Sequence, residues 1–417
     1  MQITMLDELR FNSFAMSHPN YNFYQSSNYG NFMTKHGYNA YYLGLTDDVG
    51  GIKAATLMIV KNEEANKRKM GYCPRGFLID WNDDNLVSQF TESLKTFLAS
   101  RGFTYLKVDP MVVYKEHFMD GSENTSGQSN LGFVEKMQSL GYIHMGYNNG
   151  MEASKPRWNA YTILNSNTVT LYNSISKNAR DKIMESFKMG NKVYKGTNND
   201  ISLLYSIINK PNPPLEYYLD YYQFFSQNNG FELYFAKLEP VTFVDTSKRM
   251  FEEEEERNNN LNMQLQDMYA ANKDVIINEK LKSDDLLAKY KSNMIEAVNL
   301  FQKYPSGLVI AGVAVIKYGK KVTFLASGAN DSFKEQHAEY LLRWQLMEQF
   351  AREGYEIVDF NGMIGDFNST DYNTVLKREL SNKIVEYVGE FDLVINKKSY
   401  YTGSKLNPII NWLNTPI

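Results

Sequence analysis

FTESLKTFLASRGFTYLKVDP, residues 90–110, carries the decisive local pattern. Phe90, Leu94, Phe97 and Leu98 recur at helical spacing, so this stretch predicts an amphipathic helix. Arg101-Gly102 ends it, because glycine enters the left-handed conformation after a helix without strain. Phe103 to Val108 then reads as a strand running into Asp109-Pro110. LLRWQLMEQFAREGYEIVDFNG, residues 341–362, repeats the layout. Leu341, Trp344, Met347 and Phe350 define the helix, Glu353-Gly354 its end, and Tyr355 to Val358 a strand entering Asp359-Phe360-Asn361-Gly362.

Strands precede each helix. In the first half they are expected at Tyr41 to Gly44, Ala54 to Val60 and Arg75 to Asp80. In the second they are expected at Phe231 to Ala236, Leu308 to Ile316 and Lys321 to Leu325. The pattern predicts an α/β protein with mixed sheets built from a duplicated unit; the alternative is a chance likeness, since helix–glycine–strand is common. The expected divisions are 1–155 for the first unit, and 156–245 with 304–417 for the second, the C-terminal tail packing back on the first.

Residues 246–303 differ from both. They contain no proline and almost no alternation. Leu261, Leu265 and Met268, then Leu287, Tyr290, Met294 and Phe301, suggest two antiparallel helices in a coiled-coil hairpin, with a turn near Ala271-Asn272-Lys273-Asp274. Glu252 to Glu256 form an acidic run suited to a solvated face. A hairpin this acidic is not an obvious RNA clamp, and propping the domain or a partner surface carries at least equal weight as its role.

Composition narrows the function. The chain has 417 residues, 43% hydrophobic and 22% charged, which excludes a disordered protein. A net charge of -4 argues against a broadly basic nucleic-acid coat. One cysteine, Cys73, makes neither a disulfide nor a thiolate cage and reads as a buried apolar residue. The first residues lack the basic and apolar segments of a signal peptide. The longest apolar run, Leu308 to Ile316, is too short to span a membrane. A cytoplasmic protein without stable membrane insertion is therefore expected.

The five histidines show no zinc spacing, and no nucleophile elbow, Walker loop or dinucleotide fingerprint occurs. Arg68-Lys69-Met70-Gly71 lacks the second small residue that a pyrophosphate cradle needs, which disfavours coenzyme A. Two candidates remain. Asp109 stands at a strand end, where α/β folds place reactive groups, and Lys377-Arg378 stand ahead of the strand Ile384 to Val388. Each is also readable as a purely structural charge.

The order of motifs resembles the FemABX family of peptidoglycan-bridge aminoacyltransferases over nearly the whole chain. Phe23-Tyr24-Gln25-Ser26 with Gly37-Tyr38 is similar to its opening, and Arg75-Gly76-Phe77-Leu78-Ile79-Asp80 to its R-G-P-x-x-D turn. Tyr105 to Pro110, Pro156-Arg157-Trp158, Ala326-Ser327-Gly328, Tyr340 to Trp344 and Asp359 to Gly362 follow in family order. Lys377 falls in the F-K-[KR]-G position, and Glu386 to Phe391 matches E-Y-x-G-[DE]-F.

The resemblance implies two tandem acetyltransferase-like (GNAT) domains with the hairpin as an inserted arm. It implies transfer of an amino acid from aminoacyl-tRNA, a co-substrate with no further cofactor, to a stem-peptide amine of a UDP-linked or lipid-linked muropeptide precursor. By the same resemblance Asp109 and Lys377 are the catalytic pair, and Lys35, Arg75, Arg157, Tyr217 and Asn361 bind substrate. A lipid-linked precursor would bring the protein to the inner membrane face, and association with itself or other Fem-type proteins is a further expectation. Departures fall on the substrate side. Asn212 stands where the family has arginine, and Leu376 and Glu379 flank Lys377-Arg378 in place of Phe and Gly. Much of the basic cluster expected near Ala179 to Glu185 is gone. A weakened homologue that scaffolds active Fem-type enzymes is the alternative those departures raise.

Overall fold

The computed structural model describes residues 1–61, 69–208, 213–266 and 272–403. Asn212, part of the expected hairpin turn and the last fourteen or so positions of the chain lie outside them.

The two quoted stretches do in space what their spacing predicts. Asp83 caps the helix Asp84–Ala99, its Oδ1 accepting from the Leu86 N–H at 2.9 Å. Val87, Phe90, Leu94, Phe97 and Leu98 are buried along one face. Gly102, at φ 72°, turns the chain into the strand Phe103–Val108. The counterpart helix Ala338–Arg352 ends at Gly354, φ 83°, before the strand Ile357–Met363. This second helix is covered nearly all round. Its Arg343 is 2% exposed and is tolerated because Nη1 meets Glu339 Oε1 at 2.9 Å and Nη2 donates to Ser327 Oγ at 2.8 Å.

Each helix crosses between parallel strands. Lys69–Cys73 lies parallel to Phe103–Val108, and Lys321–Ala329 parallel to Ile357–Met363; the remaining pairings are antiparallel. In order, the first sheet holds Gln2–Met5, Tyr38–Thr46, Ile52–Lys61, Lys69–Cys73, Phe103–Val108, Phe391–Val394 and Tyr142–His144. The second holds Val113–His117, Lys383–Tyr387, Trp158–Ile163, Ile357–Met363, Lys321–Ala329, Leu308–Tyr318, Phe231–Leu238 and Asn191–Lys195.

Those orders show that the sheets exchange strands. Val113–His117 leaves the first half to pair with Lys383–Tyr387, and Phe391–Val394 returns to sit between Phe103–Val108 and Tyr142–His144. The division at residue 155 therefore does not follow the sheets. The exchange ties the two together and sets the ends of strands from both at one junction.

Three local expectations are corrected. Arg75 to Asp80 is a turn rather than a strand, holding to the sheet by one bridge between Ala55 and Leu78. Lys377 lies in the helix Tyr372–Leu380, not at the start of a strand. The first long helix begins at Pro240, six residues before Thr246, since proline is well accommodated in a first turn where its missing N–H costs nothing. It runs to Gln266 and packs on a second helix, Lys273–Lys303.

Candidate active site at the sheet junction

The turn after Lys69–Cys73 and the bulge in Ile357–Met363 face each other across the junction. Arg75 has φ 52°, and its N–H donates to Asp109 Oδ1 at 2.8 Å. Its Nη2 donates to the Pro156 carbonyl at 2.7 Å, and its Nη1 stands 3.9 Å from Asp109 Oδ2. Gln25 fastens the same turn, donating to the Pro74 carbonyl at 2.7 Å and accepting from the Leu57 N–H at 2.7 Å. The opening motif Phe23 to Ser26 thus positions Arg75.

Opposite, pairing with Trp158–Ile163 shifts register between Asp359 and Gly362. A bulge re-aims side chains. Asn361 takes φ 66°, a conformation asparagine tolerates better than most, and its N–H donates to Asp359 Oδ1 at 2.8 Å. Asn159 Nδ2 also reaches that oxygen, at 3.3 Å. Lys377 Nζ donates to the Gly362 carbonyl at 2.6 Å, bracing the bulge from its helix.

Between these two walls lies a cavity leaving about 20 Å³ for the centres of water-sized groups. Arg75, Lys321, Asp359, Asn159, Tyr318 and Asn361 give it polar atoms; Tyr24, Met111 and Tyr161 close its sides. Met111 also lines a groove of about 530 Å³ beside it, bordered by His18, Asp80, Trp81 and Asn130.

Burial perturbs every charge here. The Asp109 carboxyl is pushed up to about 6 by burial, partly offset by the Arg75 guanidinium. Asp359 is likewise raised by burial, against the pull of Lys321. The Lys377 ammonium is brought down to about 8 by burial, with Arg343 adding repulsion. Burial also lowers Lys321. Lys155 falls to about 7, again through burial, and sits 4.4 Å over the Tyr24 ring. Clusters of this kind mark functional sites more often than structural ones.

Of the seven residues expected from sequence, Arg75 and Asn361 line the cavity. Asp109 and Lys377 stand one side chain behind its walls, through Arg75 and through the Asn361 bulge. Arg157 is spent elsewhere: Nη1 meets Glu386 Oε1 at 2.5 Å and Nε donates to the Asn148 carbonyl at 2.8 Å. Lys35 is bound to Asp220 Oδ1 at 2.6 Å and Gln223 Oε1 at 2.7 Å, away from the cavity lining. Tyr217 is buried in the aromatic cluster with Phe32 and Tyr221. A single cleft holding Asp109, Lys377 and Lys35 is therefore not what the fold builds.

Sequence reading missed Asp359, Lys321, Asn159 and Lys155 as chemistry. A signal existed for Asp359: the repeated unit sets one aspartate on the second strand much as Asp109 follows the first. Nothing comparable marked Lys321 or Lys155.

The FemAB family profile matches residues 6–407, and the chain belongs to that family. It is 22% identical over 408 residues to the lipid II:glycine glycyltransferase of Staphylococcus epidermidis, covering 95% of this chain and 93% of that one. It is 25% identical over 430 residues to the aminoacyltransferase FemA of Staphylococcus aureus, covering 97% and 98%. Its fold matches the crystal structure of FemX with a TM-score of 0.72 at 18% identity, covering 96% of this chain and 99% of that one. Among the described residues no helix is long and apolar enough to cross a membrane.

Proposed function

We propose that this protein transfers an aminoacyl group from aminoacyl-tRNA to a stem-peptide amine of a UDP-linked or lipid-linked peptidoglycan precursor. The observation that carries the reading is the buried charge set at the sheet junction, Asp109–Arg75 facing Asp359–Lys321, in a chain of the FemAB family. The departures on the substrate side leave that set intact.

The chemistry asks for few groups. The donor is an activated ester. The acceptor amine, ordinarily near pKa 10.4, must lose a proton before it attacks. Its nitrogen then bonds the ester carbonyl carbon, the bond to the ribose oxygen breaks, and that oxygen leaves as a hydroxyl. Asp109 stands behind Arg75 and lines neither cavity nor groove, so in this reading it receives the proton through one intervening water: Oδ2 has no hydrogen-bond partner among the described residues, and burial has raised the carboxyl's affinity for a proton. Arg75 and Lys321 supply positive charge where the tetrahedral oxyanion forms. Lys377 acts as a positioning residue, holding the bulge that orients Asp359 and Asn361. The groove beside Met111 admits the acceptor. The arm-like helix pair Pro240–Gln266 and Lys273–Lys303 stands, in this reading, as a coiled-coil insertion within the second of two tandem GNAT-like units.

Incubation with charged tRNA and a muropeptide precursor should add the mass of one amino-acid residue to the precursor, and Asp109→Asn should abolish the addition. Absence of transfer with every charged tRNA, together with co-purification of an active Fem-type enzyme, would replace this reading with the scaffold.

A further inference from the structure

The cavity has more polar capacity than its own walls use. Asn159 is 3% exposed, yet its Oδ1 finds no hydrogen-bond donor, and the Tyr318 hydroxyl is also buried without a partner. Lys321 Nζ makes no hydrogen bond among the described residues and stands 5.7 Å from the Tyr161 ring. Asp359 commits Oδ1 to the Asn361 N–H and Asn159 Nδ2, and no hydrogen bond to Oδ2 occurs among the described residues. Buried polar atoms are satisfied in the great majority of cases, and each exception needs a reason.

The open groups sort by sign. Asn159 Oδ1, a buried exception, and the uncommitted Asp359 Oδ2 belong to side chains already bonded to each other. Cationic donors, Lys321 and Arg75, line the same cavity. A ligand that satisfies both has an ammonium next to a carbonyl carbon that bears an oxygen. An α-aminoacyl ester has this arrangement. Size adds a limit. A water-sized group needs roughly 10–15 Å³ by the measure in which this cavity has about 20 Å³. That admits an ammonium and its α-carbon, with the rings of Tyr24 and Tyr161 and the Met111 side chain around them.

We infer that the cavity between Arg75 and Asp359 is the seat of the donor's α-aminoacyl head, with Asp359 and Asn159 receiving the α-ammonium, Lys321 and Arg75 facing the carbonyl oxygen, and Met111 limiting the side chain. This rests on the transferase reading and adds the group that selects the donor. It also divides the two carboxylates: Asp359 stays paired with the donor ammonium, and Asp109 is left for the acceptor's proton.

The test has a binding arm and a turnover arm, both on the full chain. Glycine methyl ester, which carries the ammonium and ester but no tRNA, should bind in calorimetry, and its acetylated analogue should bind at least about tenfold more weakly, as expected for loss of a charge-assisted hydrogen bond. Asp359→Asn should reduce that preference to near unity. Tyr318→Phe, which removes a hydroxyl that holds nothing in the fold, serves as the folding-safe variant and should weaken the ester severalfold. In turnover, glycolyl-tRNA, with hydroxyl in place of ammonium, should fall about tenfold or more below glycyl-tRNA in kcat/KM, and Met111→Ala should raise transfer from tRNAs charged with larger residues. Equal binding of the two esters to the wild type, or an ester preference unchanged in Asp359→Asn together with ester binding unchanged in Tyr318→Phe, overturns the inference. Transfer that proceeds without ammonium discrimination overturns it while leaving the transferase reading standing. Ester binding as expected with no transfer from any tRNA upholds the seat and overturns the transferase.

Discussion

Two places in this molecule bury polar side chains, and they treat them in opposite ways. Between the long helices, Asn258 Nδ2 donates to Ser283 Oγ at 3.0 Å and Asp284 Oδ1 at 2.9 Å, and Ser283 Oγ donates to Glu254 Oε1 at 2.6 Å. Every member answers another. At the sheet junction Asp109 Oδ2, Asn159 Oδ1 and the Tyr318 hydroxyl answer nothing among the described residues. A closed network of this kind fixes how two helices lie on each other, as polar layers in coiled coils do. An open one costs stability and persists where a ligand completes it. Unanswered atoms occur elsewhere too, as at Asn191 Oδ1 and Gln336 Oε1, but at the junction they stand beside a cavity lined by charge.

The comparison can be broken at several points. The largest expected effect is at Asp109: Asp109→Asn should lower kcat/KM for aminoacyl transfer by about 10²–10⁴, the usual worth of a general base. The same group gives a pH signature. Its folded-state pKa, about 6, lies above the ordinary carboxyl value of 3.8, so the folded protein binds more protons between those values. Stability should therefore fall as pH rises through that window, transfer should rise as pH passes about 6, and Asp109→Asn should flatten the stability slope in urea titrations at stepped pH.

Lys377 carries the opposite sign. Its pKa is lowered from 10.5 to about 8, so the unfolded chain binds more protons between these values and stability should rise with pH there. Lys377→Met should remove that rise while lowering kcat more than it raises KM, because the residue orients the site from behind. A loss confined to KM would argue for direct contact with substrate instead.

In the helix pair the expected change is in stability alone. Asn258→Ala should cost about 0.5–1.5 kcal/mol by removing its hydrogen bond to Ser283, which keeps its own bond to Glu254, with transfer unchanged. A drop in transfer would make the helix pair part of the active machinery. The smallest effect is expected at Lys35. Its ammonium is 44% exposed in its pair with Asp220, and such pairs contribute about 0–1 kcal/mol. Lys35→Met should change transfer less than severalfold; a tenfold rise in precursor KM would restore the substrate-binding role that the family resemblance implies.

What could be read without coordinates was whatever depends on neighbours in the chain. Phe90, Leu94 and Phe97 specify a helix by spacing, and Gly102 and Gly354 stop their helices by backbone freedom; both effects act within a few residues. Even Asp359 was legible in principle, through its likeness to Asp109. Lys377 was misplaced because Tyr372 to Leu380 is too short for periodicity to separate a helical turn from a strand approach. Lys321 and Lys155 carried no signal, because a lysine beside a turn or before a proline is ordinarily solvated.

The sequence by itself determined two helix–glycine–strand crossovers, the mixed sheets they imply and the family they belong to. Tertiary structure alone decided that Val113–His117 and Phe391–Val394 trade sheets, that Arg157, Lys35 and Tyr217 are occupied by other partners, and that Arg75 and Asp359 meet around a cavity. The reason is range. Propensity and periodicity act between adjacent turns, while burial, the shift of a buried pKa and an unanswered hydrogen bond exist only once segments hundreds of residues apart exclude water together.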